Sequence, residues 1–284
     1  MIDDNARGLH GAVLARFSDG FTDAGEHADL PDTCDLITSM VGRGSCRSFL
    51  DRAIPPAVLD MICAAALASP TKSDLQQRDI VLLASPDTRR ALAALVPGQD
   101  WVAQAPMLVV FCGNNRRQRL LHDWRGVPFA NDHLDAFFNA VGDAAIALGA
   151  FVTAAEALGL GCCPISAVRN EAQAVSDLLA LPDHVFPFAG LALGYPRGPA
   201  KITKRLPLGV TCHVDRYRED NVQAAVQAYD RDRERTQPYT AQRFADTFGT
   251  ADAYGWSMDK ARQYSQPERA DFGAFVRRKG FRLD

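Results

Sequence analysis

The sequence lacks the features of several common protein classes. Its formal net charge is −3 over 284 residues, so the chain offers no general electrostatic attraction to nucleic acid or to an anionic membrane. Its seven cysteines are an odd number with no C-x-x-C pair, which argues against a zinc ribbon and against a disulfide framework. No internal repeat with a period of about 20 to 50 residues is visible. These absences indicate a globular protein with scattered, reduced and mostly buried thiols.

Sequence signatures of three kinds of catalytic centre are also missing. No G-x-S-x-G stretch accompanies the serines, so a hydrolase with a nucleophile elbow is not expected. His122, His133 and His213 are dispersed without metal-ligand spacing, and no metal site is expected. Residues 159–161 (GLG) lack the third glycine and the following helix of a dinucleotide fingerprint, which argues against a Rossmann NAD site.

The sequence gives no sign of a membrane-directing segment. The N-terminal residues have no basic patch followed by a long apolar run, so a secretory signal is not expected. Residues 144–160 form the longest weakly polar stretch, but glycines and Glu156 interrupt it. We therefore interpret this stretch as part of a buried helix, and we predict a cytoplasmic protein that binds neither membrane nor nucleic acid.

Apolar segments of strand length alternate with segments of helical periodicity. Fully apolar runs such as residues 106–112 are typical of strands that are covered on both faces. The alternation implies an α/β or α+β sandwich with a mixed sheet rather than a helical bundle. Residues 218–237 carry both charge signs and favour a solvated helix or an arm that wraps a partner. The predicted strands are residues 79–84, 106–112, 162–166 and 188–194, and the predicted helices are residues 55–69, 89–96, 138–158 and 171–179.

The segment from Arg43 to Phe49, RGSCRSF, contains the first candidate binding residues. Two guanidiniums and a hydroxyl lie within five residues, just ahead of an amphipathic helical pattern. Alternate residues of an extended segment project to the same side, so Arg43, Ser45 and Arg47 can converge on one anion. Taken alone, a short basic segment of this kind is more often a solvated surface.

The opening motif resembles the R-x-S-x-R-x-F pattern of the FMN-dependent nitroreductase family, and the resemblance continues in order along the chain. It covers roughly residues 40–217, with a plausible C-terminal extension, and the order of the blocks makes it specific. The further blocks are residues 68–76 (ASPTKSDLQ), 158–170 (LGLGCCPISAVRN), 186–196 (FPFAGLALGYP) and 204–207 (KRLP).

The resemblance implies a fold, a domain organisation and a quaternary state. The fold would be α+β, a three-layer α/β/α sandwich with a mixed, mostly antiparallel sheet, in a homodimer that binds FMN at its interface. Residues 1–38 precede the resemblance, and their composition favours an N-terminal arm with a short helix over residues 9–21. Residues 39–217 would form the FMN-binding domain, and residues 218–284 a helical extension contacting the partner subunit. Residues 272–283 look like the family's closing helix and its aromatic anchor.

The resemblance also implies roles for individual residues. Arg43, Ser45 and Arg205 would hold the FMN phosphate. Arg47 would lie against the pyrimidine edge of the flavin, where a fixed cation raises the reduction potential. Arg47, Ser166 and Ala167 are the predicted catalytic residues. The predicted cofactor-binding residues are Arg43, Gly44, Ser45, Arg47, Asp74, Gln76, Pro164, Ile165, Ser166, Ala167 and Arg205.

Four positions depart from the family pattern. Asp74 stands where many relatives carry asparagine, and an ionised carboxylate cannot donate to a flavin carbonyl. Pro164 replaces a frequent aromatic residue, Thr203 replaces a lysine near the phosphate, and Arg43 stands where some relatives have histidine. Either Asp74 points away from the flavin or the electronics of the cofactor differ here, and we expect Pro164 to open or reshape the pocket above the ring.

The functional prediction is an FMN-dependent NAD(P)H oxidoreductase. NADPH or NADH would reduce the flavin and leave, and a nitroaromatic, a quinone or a free flavin would then take the hydride in a ping-pong reaction. Such a reaction asks little of protein acids and bases, because the cofactor performs the transfer. The alternatives are a specialised FMN-dependent dehydrogenase or oxidase of a catabolic or biosynthetic pathway, and a flavin-binding protein without turnover.

Overall fold

The structure is a computed structural model that describes residues 16–17 and 34–284. Most of the predicted N-terminal arm, including most of the helix expected over residues 9–21, lies outside the described residues. By their contacts, the residues divide into two compact units, one of residues 45–200 and 269–284 and one of residues 1–44 and 201–268.

The elements are numbered in chain order over the described residues. The helices are α1 (Cys34–Gly42), α2 (Pro56–Leu67), α3 (Pro86–Ala94), α4 (Arg116–Arg125), α5 (Leu134–Ala157), α6 (Ala172–Leu178), α7 (Leu208–Thr211), α8 (Val222–Thr236), α9 (Ala245–Phe248), α10 (Trp256–Gln263) and α11 (Phe272–Arg278). The strands are β1 (Arg78–Leu83), β2 (Met107–Asn114), β3 (Gly161–Ile165) and β4 (Val185–Gly194).

The four strands form one sheet in the order β1-β2-β4-β3. Every pairing among the described residues is antiparallel, so the mixed sheet that the sequence predicted is not seen in this part of the chain. The register between β2 and β4 shifts between Phe111 and Cys112, which pair with Ala189 and Pro187. Proline cannot donate to a ladder, and a bulge at this point lets β4 continue past Pro187.

Both faces of the sheet are buried. Along β2, Leu108 and Val110 belong to a core cluster with residues of α3 and α6, whereas Val109 and Phe111 belong to a cluster with residues of α2 and α5. Successive residues of a strand point to opposite faces, so the two faces of β2 contribute to two different core clusters. This explains why the predicted strands are apolar runs instead of alternating patterns.

Helix α5 is the long apolar helix that the sequence predicted, and one side of it is buried in the core. By length and composition alone it is long and apolar enough to cross a membrane. However, Ala147, Phe151 and Ala155 are fully buried in the core cluster against the sheet, and the Phe151 ring packs edge-on against Phe111 at 5.3 Å. A core helix has the same composition, because it also loses contact with water.

Gly113 permits close packing between β2 and β4. It pairs with Phe186, and a Cβ atom on Gly113 would lie 2.3 Å from Cζ of that ring, which is 1% exposed. We expect Gly113→Ala to lower the free energy of unfolding by about 1–3 kcal/mol, because a buried ring has little room to shift. Urea denaturation measures the change, and Gly198→Ala, which would meet nothing within 4 Å, is the matched control. Equal stability of the two variants would contradict this packing.

The C-terminal residues pack onto the unit that contains the sheet. Phe275, Val276 and Phe281 are buried in a cluster with Phe186, as expected for a closing helix followed by an aromatic anchor. The backbone N of His184 donates to the carbonyl of Lys279 at 2.7 Å. The His184 ring lies 3.0 Å, through Nε2, from the carbonyl of Gly280.

His184 makes the stability of this C-terminal contact dependent on pH. Burial, and then the nearby Arg119 guanidinium, lower the pKa of His184 below its ordinary value of 6.5, although the hydrogen bond to Gly280 and then Asp183 and Asp132 oppose the shift. The unfolded chain therefore takes up a proton first, so stability is lost as the pH falls through about 6.5. We expect the free energy of unfolding to decrease from pH 7.5 to pH 5.5. His184→Gln should show a smaller decrease, and an identical pH dependence in both proteins would contradict the assignment.

The second unit has its own polar core. Tyr229 of α8 is 2% exposed, and its hydroxyl donates to the Lys204 carbonyl at 3.0 Å. Asp259 of α10 is also buried and accepts hydrogen bonds from Tyr254 and Arg243, both at 3.1 Å. Burial opposes ionisation, but Lys260 and Arg243 hold the pKa of Asp259 below its ordinary value. The predicted charged helix is thus anchored by one buried face.

Candidate functional site

The loop of residues 72–77, here called the 72–77 loop, has a strained backbone. Ser73, Asp74 and Gln76 have φ angles of +47°, +56° and +49°, which place three non-glycine residues in the left-handed region. Each such residue costs about 1 kcal/mol or more, and such strain persists only where the surroundings fix it. Backbone strain of this kind clusters at ligand-binding sites.

A single buried carboxylate holds both ends of the 72–77 loop. Asp143 of α5 is 1% exposed. Its Oδ1 accepts a hydrogen bond from the backbone N of Lys72 at 2.9 Å, and its Oδ2 accepts one from the backbone N of Gln77 at 2.8 Å. Hydrogen bonds to a charged acceptor are about twice as strong as neutral ones, so this side chain stabilises the loop conformation.

Helix α4 holds the middle of the same loop. Gln118 donates from Nε2 to the carbonyl of Leu75 at 2.7 Å, and Arg117 donates from Nη1 to the carbonyl of Gln76 at 2.7 Å. Arg117 also pairs with Asp79 of β1 at 2.5 Å. The strained conformation is therefore determined by two helices and a strand.

The 72–77 loop presents Asp74 and Gln76 together. Both residues are exposed, and Nε2 of Gln76 donates to Oδ1 of Asp74 at 3.1 Å. One N–H of the Gln76 amide is therefore engaged, and the second N–H and Oε1 are left for other partners. The Asp74 carboxylate thus has a donor within its own loop.

The motif that contains Ser45 and Arg47 runs beside β3. The backbone N of Cys46 donates to the carbonyl of Cys162 at 2.9 Å. A Cβ atom on Gly161 would lie 2.6 Å from the Cys46 side chain, so glycine allows this approach. The segment continues to Phe49, which forms a β-bridge with Pro196.

Arg47 and Ser45 have polar groups available for a ligand. Arg47 is exposed, and its guanidinium lies 5.6 Å from the centre of the Trp101 ring. Within residues 16–17 and 34–284, neither the Arg47 guanidinium nor the Ser45 hydroxyl has a hydrogen-bond or ion-pair partner. A cation and a hydroxyl without partners are suited to binding an anion.

The residues of the predicted turn at the end of β3 differ in their exposure. Pro164 and Ser166 are exposed, whereas the Ile165 side chain is 2% exposed in the core and Ala167 packs against it. Ile165 as a whole residue is therefore almost completely covered by the protein. The structure brings this strand and the Ser45–Arg47 segment together through the bond between Cys46 and Cys162.

Arg16 organises the other two predicted phosphate-binding arginines. This residue is 4% exposed, and its guanidinium donates to the carbonyls of Val41, Thr203 and Arg43. The backbone N of Arg205 donates to the Arg16 carbonyl at 2.7 Å. The segments that carry Arg43 and Arg205 are thus joined in one unit. The exposed Arg205 side chain donates to the Thr203 hydroxyl at 2.9 Å, and Gly44 is half-buried.

Two of these organising residues were not singled out from the sequence. Asp143 is the sole charged residue between Asp135 and Glu156 of α5, and a lone charge on an apolar helix is a signal of a buried, satisfied carboxylate. Arg16 has no comparable signal, because its partners are backbone carbonyls far away in the sequence. None of the predicted site residues is tested directly by these contacts, and their roles remain predictions.

Comparisons with known proteins identify the family to which the chain is similar. Residues 40–195 match the nitroreductase family, and residues 204–284 match the C-terminal domain of that family. The chain is 31% identical over 255 residues to the protein named FMN reductase [NAD(P)H] of Bacillus subtilis, which covers 88% of this chain and 99% of that relative. It is 35% identical over 183 residues to the oxygen-insensitive NADPH nitroreductase of Salmonella typhimurium, covering 64% of this chain and 74% of that relative.

A solved structure shows the same fold. The structure of NfrA2 from B. megaterium superimposes with a TM-score of 0.80 at 28% identity, and the match covers 88% of this chain and 98% of that one. The motif order, the sheet with its helices and the extent of these matches lead to one conclusion. The chain belongs to the nitroreductase family.

Proposed function

We infer that the chain is an FMN-dependent NAD(P)H oxidoreductase that passes a hydride, by way of the flavin, to an electron-poor acceptor. The observation that carries this proposal is that the exposed Arg47 guanidinium and the Ser45 hydroxyl, two residues apart, have no hydrogen-bond or ion-pair partner among the described residues. Relatives of similar length are named for FMN reduction and for NADPH-dependent nitro reduction. The acceptor is a nitroaromatic, a quinone or a free flavin.

The residues present fit the chemistry of FMN. The phosphate is an anion that needs cationic and neutral donors, and Arg43, Ser45 and Arg205 supply guanidinium and hydroxyl groups. The described residues give Arg205 no carboxylate partner, so its charge is available. The pyrimidine ring of a flavin has both carbonyl acceptors and an imide N–H donor, and the free Oε1 of Gln76 suits that donor.

When it is bound, the flavin supplies the hydride acceptance and donation. Arg47 provides a fixed positive charge where negative charge develops on the reduced ring, which favours reduction. Ser166 and Ala167 have small side chains that allow a planar ring to approach their backbone amides. The strained 72–77 loop fixes Asp74 and Gln76 before a ligand arrives, so little reorganisation accompanies binding.

The proposal includes a homodimer with an α/β/α layer arrangement, located in the cytoplasm. Large apolar side chains lie exposed on the outer surfaces of α2 and α5, namely Met61 at 60%, Phe138 at 68% and Ile146 at 43%. A patch of this kind is typical of a protein interface. We propose that a second copy covers it, and that residues 218–284 take part in this contact. The predicted boundaries of the N-terminal arm, the FMN-binding domain and the extension stand as part of the proposal.

Steady-state kinetics test the proposed function. Oxidation of NADPH and of NADH by the FMN-loaded protein would be followed with p-benzoquinone, nitrobenzene or added FMN as the acceptor. We expect parallel double-reciprocal plots, because a ping-pong reaction releases the oxidised nicotinamide before the acceptor binds. Intersecting lines would contradict the ping-pong order, and the absence of acceptor-stimulated oxidation with either nucleotide would contradict the function.

A further inference from the structure

Trp101 joins the opening motif to the core of the sheet-containing unit. It lies in the short 3-10 helix Asp100–Gln104, between α3 and β2, and its side chain is half-buried. The side chain packs against the core cluster that contains Cys46 and Phe49, which are the buried residues on either side of Arg47 in the motif. Trp101 and the backbone around Arg47 are therefore held by the same core.

The exposed Arg47 side chain lies over the Trp101 ring. Cζ of Arg47 is 5.6 Å from the ring centre, within the distance of about 6 Å over which a cation is attracted to an aromatic face. In the part of the chain that the structure describes, Arg47 has no hydrogen-bond or ion-pair partner. An exposed arginine without such a partner can adopt many rotamers. The attraction to the ring favours the rotamers that keep the guanidinium close to Trp101.

An aromatic ring restrains a guanidinium without using its binding capacity. A carboxylate in the same place would neutralise the charge and would accept from the N–H donors. The indole of Trp101 has one polar group, which is a donor, so it accepts no ordinary hydrogen bond from Arg47. The charge and the donors of Arg47 therefore remain available to an anionic ligand.

We propose that Trp101 is a positioning residue for Arg47 in the reduction of the flavin. Trp101 acts through Arg47, by increasing the fraction of time that the guanidinium spends where negative charge develops on the reduced ring. This proposal rests on the proposed function, which gives Arg47 that place. At an exposed site, attraction to an aromatic face favours the restrained rotamers by about twofold to fivefold. Loss of the ring should have an effect of this size.

Stopped-flow reduction of the FMN-loaded protein by NADPH or NADH tests the proposal. We expect Trp101→Leu to slow the reduction by about twofold to fivefold and to lower the reduction potential of the flavin. Trp101→Phe keeps an aromatic face and should restore most of the rate. A rate in Trp101→Phe as low as that in Trp101→Leu would overturn the proposal.

Tyr195→Leu is the matched control for Trp101→Leu. Tyr195 is also half-buried and packed against a core cluster, and its ring also lies under a guanidinium, that of Arg52 at 3.8 Å. Both substitutions thus remove a comparable aromatic side chain, but only one of them removes a contact of Arg47. Tyr195→Leu should leave the rate and the potential unchanged. Equal effects of the two substitutions would overturn the proposal.

A double-variant cycle separates positioning from general stabilisation of the fold. If Trp101 acts through Arg47, adding Trp101→Leu to the Arg47→Ala variant should change neither the rate nor the potential any further. A structural role would lower both by the same factor in either background, and that result would overturn the proposal. The potential is measured at equilibrium against a reference dye, so it does not depend on turnover.

Nuclear magnetic resonance of the full-length protein before FMN is added tests the contact without the flavin. In protein labelled with ¹³C-arginine, the Arg47 side-chain signals are identified by their absence from Arg47→Ala. The ring current of Trp101 should shift these signals upfield, and Trp101→Leu should reverse the shift. Unshifted signals would overturn the proposal even in an active enzyme. Shifted signals in a protein that binds no FMN would contradict the proposed function, and with it the role given to Trp101.

Discussion

Asp143→Asn is expected to lower both the free energy of unfolding and the turnover of the FMN-loaded enzyme. Asparagine has one acceptor oxygen, so its amide NH₂ would face the backbone N–H of either Lys72 or Gln77. One buried amide would then lose its acceptor and meet a second donor. We expect the free energy of unfolding to fall by about 2–4 kcal/mol. The strained loop that carries Asp74 and Gln76 would relax, and turnover of the FMN-loaded enzyme would fall by about 100-fold.

The control for this prediction is Asp60→Asn on α2. Asp60 is an exposed carboxylate on a helix of the same unit, so its change should alter the unfolding free energy by about 0.5 kcal/mol or less. Urea denaturation and FMN titration of both variants give the comparison. If the Asp143→Asn protein had the same FMN affinity and the same stability as the Asp60→Asn protein, the result would contradict the claim that the Asp143 carboxylate holds the 72–77 loop.

Arg47→Ala is expected to slow reduction of the bound flavin by about 100-fold to 1,000-fold. The guanidinium supplies the fixed positive charge that we place at the reduced ring, and alanine removes that charge without altering the core, because the side chain is exposed. The flavin reduction potential should fall as well. Arg47→Lys keeps a cation but loses the planar donor group, so an intermediate rate is expected.

Arg52→Ala is the matched control for this second prediction. Arg52 is also exposed and also stacks on an aromatic ring, with its guanidinium 3.8 Å from the centre of the Tyr195 ring. It is not among the predicted flavin-binding residues, so its removal should leave the rate of reduction by NADPH unchanged. Stopped-flow absorbance measures both variants. Equal rates for Arg47→Ala and Arg52→Ala would show that the charge of Arg47 plays no special part.

Hydrophobic periodicity predicted most of the secondary structure of the sheet-containing unit. Residues 106–112 correspond to β2, residues 138–158 correspond to most of α5, and residues 171–179 enclose α6. These elements are long or fully apolar, and burial determines their conformation. The direction of strand pairing could not be predicted from the sequence. A strand that is buried on both faces has the same apolar pattern whether its neighbours are parallel or antiparallel.

The supporting contacts of the site were harder to predict than its motifs. Ser73, Asp74 and Gln76 have left-handed φ angles that none of these residue types demands, and contacts from elsewhere in the fold impose them. Arg16 acts through backbone carbonyls that are distant in sequence. Asp143 was visible as a lone charge on an apolar helix, but its partners depend on the tertiary fold.

Flavin retention is the most direct measurement of the central claim, that guanidiniums of this chain bind FMN. The wild-type protein and the Arg47→Ala/Arg205→Ala double variant would be reconstituted with FMN, desalted and examined by visible absorption spectroscopy. Our account predicts a yellow wild-type protein that NADPH or NADH bleaches under anaerobic conditions, and a double variant that loses most of its flavin. A wild-type protein that is colourless after reconstitution, or a double variant that keeps its full complement of flavin, would contradict the account.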